Sequence, residues 1–427
     1  MIKKIIKCIP YSIYLAKAFK RYIEYFQVQL IQKRYNKVIN KKKKKISMGE
    51  KVRVAFFVTQ KQLWSAQSLY DEFSGNEYFE PLIVVFPDNE NTVNSKAETL
   101  GYNYDFFIQK GMSVICGYNA QDECYSTLKS INADIIFYDQ PSPNINESLL
   151  WRHASKNSLV CYIPYGYKVA GFYQAHFNMS LQNSCWIVFS ESNWHTEQFI
   201  KYGVLKGKNV VTSGYPKLDV YNNDSINDIK KIHSNKMIMW APHWSIGEQS
   251  IGYSTFDKNY MFFLEYARNN SNVDWIFKPH QRLRAYLVES GFMKKSEVDD
   301  YYSQWEALPN TRFYNDSDYF DLFKRSDALI TDCGSFLAEY LPTKKPILHL
   351  ASKHCQGYNE VGDKLIGSYY KATNIDEIKH FIDDVVINER DVLMEQRLSN
   401  LHLVQPNSHG AGKFIVDCIQ ARLIGDD

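Results

Sequence analysis

The chain has 427 residues, 45% of them apolar and 23% charged, which is enough for two domains with separate cores and too apolar for a disordered protein. Its net charge of +3 conceals a split: residues 1–50 carry 14 Lys/Arg against two Glu, about +12, so the remainder is about −9. An acidic body excludes the whole molecule as a nucleic-acid binder. Eight scattered cysteines without a CxxC pair exclude a zinc scaffold or a disulfide framework and point to a reducing cytosol.

Residues 1–40 place Ile, Leu, Tyr and Phe among Lys and Arg at roughly helical spacing, then run into five lysines at 41–45. The pattern predicts a basic amphipathic arm over residues 1–48 that lies on an anionic membrane surface. The alternative is a helix packed on its own protein. No run approaches 18 uninterrupted apolar residues, and the first twenty have no convincing cleavage site. Neither a transmembrane helix nor a signal peptide is therefore expected.

From residue 51 short apolar runs alternate with helical segments. Strands are expected at 52–58, 81–86, 134–138, 159–163, 186–189 and 210–213. After a polar linker near 221–236 a second series follows at 237–241, 274–277, 311–314, 327–331 and 346–350. Non-alternating apolar runs spaced by helices predict parallel sheets covered on both faces. The expected fold is α/β, with two doubly wound domains at 49–225 and 226–405. A terminal helix over 406–427 is expected to pack back across them.

The tips of the second series carry unusual chemistry. The strand 237–241 runs into His243, 274–277 into Lys278, His280 and Arg282, 327–331 into Asp332, Gly334 and Ser335, and 346–350 into Ser352, Lys353 and His354. Ligands of open parallel sheets bind outside the carboxyl ends of the strands, so four such tips together suggest a site for an anion. Thr331, Asp332, Gly334 and Ser335 open the segment "SFLAEYL". Ser335 is expected at a helix start that cradles phosphate, with Gly334 admitting the anion to the backbone and Asp332 as cap or orienting acceptor. Glu339, one turn on, could hold a ribose. Lys278 and Arg282 would offset pyrophosphate charge, and His280 would donate to or neutralise the oxygen of a departing phosphate. The Gly-rich "NSHGAGKF" offers His409 and Lys413 as further phosphate or base contacts. No paired acidic motif calls for a metal, and no cofactor is expected.

The segments "WAPHWS", "KPHQR", "ITDCGSFLAEYLPTKKPIL", "FSESNWHTEQFIKYGV" and "VVTSGYPKLD" together resemble the CDP-glycerol glycerophosphotransferase family, over roughly residues 155–420. The resemblance implies a GT-B fold, with two Rossmann-like domains facing across a cleft, the nucleotide donor on the C-terminal domain and the acceptor on the N-terminal one. Three positions depart from the family pattern. Gly334 replaces a Ser, Gln281 replaces a Pro, and Tyr165 in "IPYGYKVAG" stands where the family has the His of its Trp-His-Gly-Thr motif. A tyrosine of ordinary pKa near 10 is a poor base at neutral pH. Tyr165 and Gly166 then become acceptor-binding candidates, and Asp139 and His176 join His280 as catalytic ones.

The expected function is transfer of phosphoglycerol or a similar polyol phosphate from a CDP-linked donor to an acceptor hydroxyl. The setting is teichoic-acid, capsule or lipopolysaccharide synthesis. The expected partners are the nucleotide-activated donor, a lipid-linked or glycan acceptor and an anionic membrane, at the cytoplasmic face of the cell membrane. The alternatives are a GT-B glycosyltransferase using a CMP-, CDP- or UDP-sugar, and a non-catalytic binding member of the assembly complex.

Overall fold

The structure is a computed structural model that describes residues 2–89, 94–222, 235–248, 250–404 and 409–425, with side chains from Glu24 onward. The polar linker and the expected domain boundaries at 225/226 and 405/406 lie outside these residues, as do Asn407 and Ser408 of "NSHGAGKF". The chain divides into two compact units. The first comprises Met1–Ile163, Tyr173–Thr212 and Lys413–Asp427, and the second Pro164–Phe172 and Ser213–Gly412.

The first unit carries β1 (Val52–Val58), β2 (Phe79–Val85), β3 (Val114–Cys116), the short hairpin β4 (Tyr118–Asn119) and β5 (Cys124–Tyr125), then β6 (Ile135–Tyr138), β7 (Leu159–Tyr162), β8 (Ile187–Ser190) and β9 (Val210–Thr212). Seven of these form one parallel sheet in the order β3-β2-β1-β6-β7-β8-β9, while β4 and β5 pair antiparallel outside it. The second unit carries β10 (Lys236–Ala241), β11 (Val273–Phe277), β12 (Thr311–Phe313), β13 (Ala328–Thr331), β14 (Ile347–Leu350) and β15 (Tyr370–Ala372). They form a parallel sheet in the order β12-β11-β10-β13-β14-β15.

Both orders are Rossmann-like: the sheet grows one way from its first strand and then reverses, leaving a switch point between β1 and β6 and between β10 and β13. The central strands read as continuous apolar runs because helices cover both faces, and β6, β7, β8, β13 and β14 are buried at every residue. The second core is aromatic, with Trp240, Trp275 and Trp305 all at most 1% exposed and Trp240 stacked on Phe263 and Phe277. The edge strands β3 and β15 escape the apolar pattern, since "VIC" and "YKA" are short and partly exposed.

The helix expected to lie on a membrane is, from Val28 onward, packed on the protein itself. The helix Ile2–Ser47 contributes Val28, Ile31, Tyr35 and Val38, all 6% exposed or less and spaced three and four apart as one helical stripe. Ile31, Tyr35 and Val38 join the core of the first unit. Tyr35 donates to Ser184 O at 2.7 Å and Gln32 Nε2 to Cys185 O at 2.9 Å. Lys42 and Lys45, from the lysine block, each reach one oxygen of Asp134 at 2.6 Å. The pattern fitted a membrane face and a protein face equally, and from residue 28 onward the protein face is taken. No helix among the described residues is long and apolar enough to cross a membrane.

Candidate functional site

At the switch point of the second unit, Asp332 follows β13 and is completely buried. Its Oδ1 accepts the His243 N–H at 2.5 Å, and its Oδ2 accepts the N–H and hydroxyl of Thr255 at 2.6 and 2.9 Å. Burial pushes its carboxyl up to about 7, while these donors pull the other way. Asp332 thus ties the loop after β10 to the end of β13 and faces protein, which suits an orienting acceptor and not a phosphate ligand. Thr331 is also internal: its hydroxyl donates to Ala241 O at 2.6 Å and accepts the Cys333 N–H at 2.9 Å.

Two imidazoles stand on this frame with ring centroids 4.9 Å apart. His243 Nδ1 lies 2.8 Å from Ser245 Oγ and accepts the Ser245 N–H at 3.2 Å. Ser245 Oγ itself accepts from Tyr253 N at 3.1 Å, so its proton is available to His243. His280 Nδ1 accepts the Arg282 N–H at 3.2 Å, and the His280 backbone N–H bonds Pro242 O at 2.9 Å. With Nδ1 an acceptor on both rings, the neutral proton of each belongs on Nε2. Burial, then Lys278 and Arg282, push His280 down to about 3, and burial and His280 hold His243 well below the usual range. At neutral pH His280 is therefore a neutral hydrogen-bond donor, and it lacks the ready proton of an imidazolium acid.

The two flanking cations are held in place. Lys278 donates to Asp316 O at 2.9 Å and lies 4.9 Å from the Tyr319 ring centroid, and burial followed by Lys217 lowers it to about 8. The Arg282 guanidinium covers the Trp244 ring at 4.4 Å. Ser335 sits nearby in the chain on a helix of only six residues, Gly334–Glu339. Its dipole is that of little more than one turn, so the cradle expected there is weaker than the sequence suggested. A Cβ on Gly334 would meet Val169 at 3.2 Å, which explains a glycine where the family pattern has Ser.

Glu339 is 1% exposed and enclosed by the hydroxyls of Tyr215 and Tyr319, with Lys217 Nζ 3.9 Å away. These partners occupy it, which corrects the expectation of a ribose ligand. The Gly-rich start of the terminal helix Ala411–Ile424 is likewise taken. Asp219, from the "GYPKLD" segment, accepts the N–H groups of Ala411 and Gly412 at 2.7 Å each. A carboxylate of the protein thus sits where a phosphate was expected. Lys413 pairs with Asp417 one turn on, and His409 is exposed.

The segment with Tyr165 and Gly166 falls in the second unit, although the chain on either side belongs to the first. Tyr215 Oη donates to Tyr165 O at 2.9 Å, Asn359 Nδ2 to Lys168 O at 2.8 Å, and Ala170 bridges to Tyr358. A Cβ on Gly166 would lie 3.8 Å from Ser335 Cβ. Gly166 is therefore a neighbour of the donor-site candidate Ser335, and Tyr165 precedes it in the same segment.

In the first unit, Asp139 follows β6 at the switch point as Asp332 does in the second. Its Oδ2 accepts the N–H and hydroxyl of Thr59 at 2.7 and 2.9 Å, and burial pushes its carboxyl up to about 6. Its buried Oδ1 has no hydrogen-bond partner among the described residues, unlike either oxygen of Asp332. His176 lies in the short helix Tyr173–Phe177 of the same unit. Ser245, Tyr253 and Thr255 were not foreseen, since loop residues without a basic or Gly-rich motif gave no signal. Among the described residues no cluster of His, Cys, Asp or Glu is placed to hold a metal.

Residues 171–366 match the family model CDP-Glycerol:Poly(glycerophosphate) glycerophosphotransferase. Over these residues the chain is similar to the CDP-glycerol glycerophosphotransferases. The match is narrower than the resemblance expected from the motifs, but it includes β10, β11, β13, β14 and all the imidazole-bearing tips described above. A variant of the wall teichoic acid polymerase TagF soaked with CDPG is similar in fold, with a TM-score of 0.55 and 17% identity, over 94% of this chain and 98% of that one. MnaA of S. aureus in complex with UDP gives 0.53 and 14%, over 88% and 98%. The UDP-GlcNAc 2-epimerase of Neisseria meningitidis bound to UDP-GlcNAc gives 0.51 and 11%, over 86% and 99%. Curated proteins provide no match to the transferase. These likenesses establish a GT-B-type fold of two Rossmann-like units.

Proposed function

We propose that the protein transfers phosphoglycerol, or a similar polyol phosphate, from a CDP-linked donor to an acceptor hydroxyl of a bacterial surface polymer. The observation that carries this is the convergence of His243, Lys278, His280 and Arg282 at adjacent strand tips of the second unit, inside the segment that matches the glycerophosphotransferase model. TagF soaked with CDPG is a precedent for the donor class. The acceptor oxygen forms a bond to the phosphorus that bears the polyol, the bridging P–O bond breaks, and CMP leaves. Fixed donors and cations stabilise the charge that develops on CMP. The hydroxyl proton passes to a base, and Asp139, which follows β6 at the switch point of the first unit, is favoured over His176.

Attachment to the cytoplasmic face of the membrane is part of the proposal. Tyr25, Phe26 and Leu30 are 40–57% exposed on the N-terminal helix. They adjoin a groove of about 740 Å³ lined by Arg34, Arg152 and Lys206. Apolar side chains beside cations suit an anionic lipid surface.

Gly334 and Tyr165, in place of the family's Ser and His, favour a second reading, glycosyl transfer from a CMP-, CDP- or UDP-sugar; the UDP and UDP-GlcNAc bound to two of the fold neighbours are consistent with it. Incubation with a donor panel and membrane acceptor decides. CMP released from CDP-glycerol supports the first reading, a nucleotide released from a sugar donor moves the assignment to the second, and silence with every donor points to a non-catalytic binding protein.

A further inference from the structure

We propose that His243 and His280 act as one unit, a pair of neutral imidazoles that clamps the donor's diphosphate through two Nε2–H groups and takes up one proton as the diphosphate binds. This rests on the reading of the second unit as the donor site.

The geometry carries the proposal. Each ring has its Nδ1 committed, to Ser245 in one case and to the Arg282 N–H in the other. Neither Nε2 has a hydrogen-bond partner among the described residues, and the His243 side chain is buried while His280 is partly exposed. Two donors so fixed, on rings 4.9 Å apart, are spaced for neighbouring phosphate oxygens of one ligand.

The charges around the pair explain why a proton would follow the ligand. Lys278 and Arg282 face His280, and the two rings face each other. Asp332 is the nearest acid, but its oxygens are spent on backbone N–H groups and Thr255. The Tyr253 ring packs against His243 at 5.6 Å, and the Arg282 side chain lies over Trp244. Burial and the two neighbouring cations thus keep the empty pair neutral. A diphosphate brings two negative charges to the same place and reverses that balance, because an opposite charge within about 4–6 Å favours the charged imidazole. A second proton is opposed by the first, since two imidazoliums this close repel. One proton per donor is the expected stoichiometry.

The sign follows by linkage. Each ring is depressed when empty and raised when occupied. Affinity should therefore increase as pH falls through the occupied-state value, by at most about tenfold per pH unit for one proton.

The test is calorimetric titration of the full chain with CDP-glycerol and, separately, UDP-glucose, between pH 6 and 8 in buffers of different ionisation heat. Both ligands are diphosphate diesters that do not titrate in this range, so any proton exchanged belongs to the protein. The expected result is buffer-dependent heat reporting proton uptake towards pH 6, tighter binding at lower pH, and loss of both in the double variant His243→Gln/His280→Gln, which keeps an N–H donor at each position. Tight binding with no buffer-dependent heat overturns the clamp and leaves the donor-site reading standing. An unchanged pH slope in the double variant does the same. Failure of every diphosphate ligand to bind overturns both.

Discussion

Lys45 Nζ lies 2.6 Å from Asp134 Oδ2, and Lys42 takes the other oxygen of the same carboxylate at the same distance. Two lysines of a block that reads as membrane-binding are thereby committed to the protein, beside an apolar stripe that enters the core of the first unit. Truncation should expose the difference. Removing residues 1–23 should leave a folded protein that binds anionic vesicles less well. Removing residues 1–46 also deletes Val28, Ile31, Tyr35 and Val38, and each buried Val or Ile contributes about 1.5–3 kcal/mol. That variant should lose cooperative unfolding or precipitate. Equal melting temperatures for the two truncations would show that the packed half of the helix is dispensable.

The same carboxylate predicts a pH effect. Burial by itself would raise Asp134, but Lys42, Lys45 and the Arg53 N–H outweigh it and hold the group below the usual carboxylate value. A depressed acid contributes stability above its unfolded pKa and loses it as pH falls through the folded one. Asp134→Asn should therefore destabilise by about 1–3 kcal/mol at pH 7. The gap to the unmodified protein should close below about pH 4. A gap that stays constant down to pH 3 in thermal melts would contradict the ion-pair assignment.

Asp139 makes the sharpest claim on the first unit. If its open Oδ1 takes the acceptor proton, Asp139→Asn should lower kcat by about 10²–10⁴-fold with little change in nucleotide affinity. The acid limb of kcat/KM should fall near pH 6, where the carboxyl gains its proton. Stability should move oppositely. A raised acid keeps its proton in the fold after the unfolded chain has released it, so its contribution declines as pH rises from about 4 to about 6. A pH profile without a limb near 6 would shift attention to His176.

Tyr165 should be dispensable as a base. It belongs with the second unit, its carbonyl is held by Tyr215 and its side chain is 43% exposed. Tyr165→Phe should keep most turnover and shift donor KM by no more than a few-fold. A well-folded yet inactive Tyr165→Phe would restore it to the chemistry.

Most of the second unit was legible because its strands are buried on both faces and its chemistry stands at their ends. The run "MIMWA" and the cluster "KPHQR" need no partner to be recognised. What was not legible depends on who occupies a group. Glu339 looks like an accessible carboxylate until Tyr215 and Tyr319 enclose it, and the "HGAGKF" amides look vacant until Asp219, almost two hundred residues away, caps them. The helix from Val28 to Ile46 failed for a related reason: amphipathicity reports an apolar face but not what covers it.

The final prediction separates binding from turnover at the two donor-site residues with least structural duty. Ser335 makes one weak contact, 3.9 Å from Cys333 Sγ, so Ser335→Ala should leave the fold intact. Its hydroxyl can serve donor and product alike, and its loss should weaken nucleotide affinity by about 10-fold with kcat little changed. His280 is different. Its backbone N–H, which His280→Ala retains, makes the bond to Pro242 O, so the melting temperature should barely move. The lost Nε2–H group faces charge that grows as CMP departs, an interaction worth more in the transition state than before it. His280→Ala should lower kcat by about 10²-fold, while His243 limits the loss of donor affinity to less than tenfold. Melting temperature, nucleotide affinity and single-turnover rate, measured on both variants with CDP-glycerol, test the split. Near-normal turnover in a folded His280→Ala protein would remove the imidazole from catalysis, and a collapsed melting temperature would make it a strand-end brace.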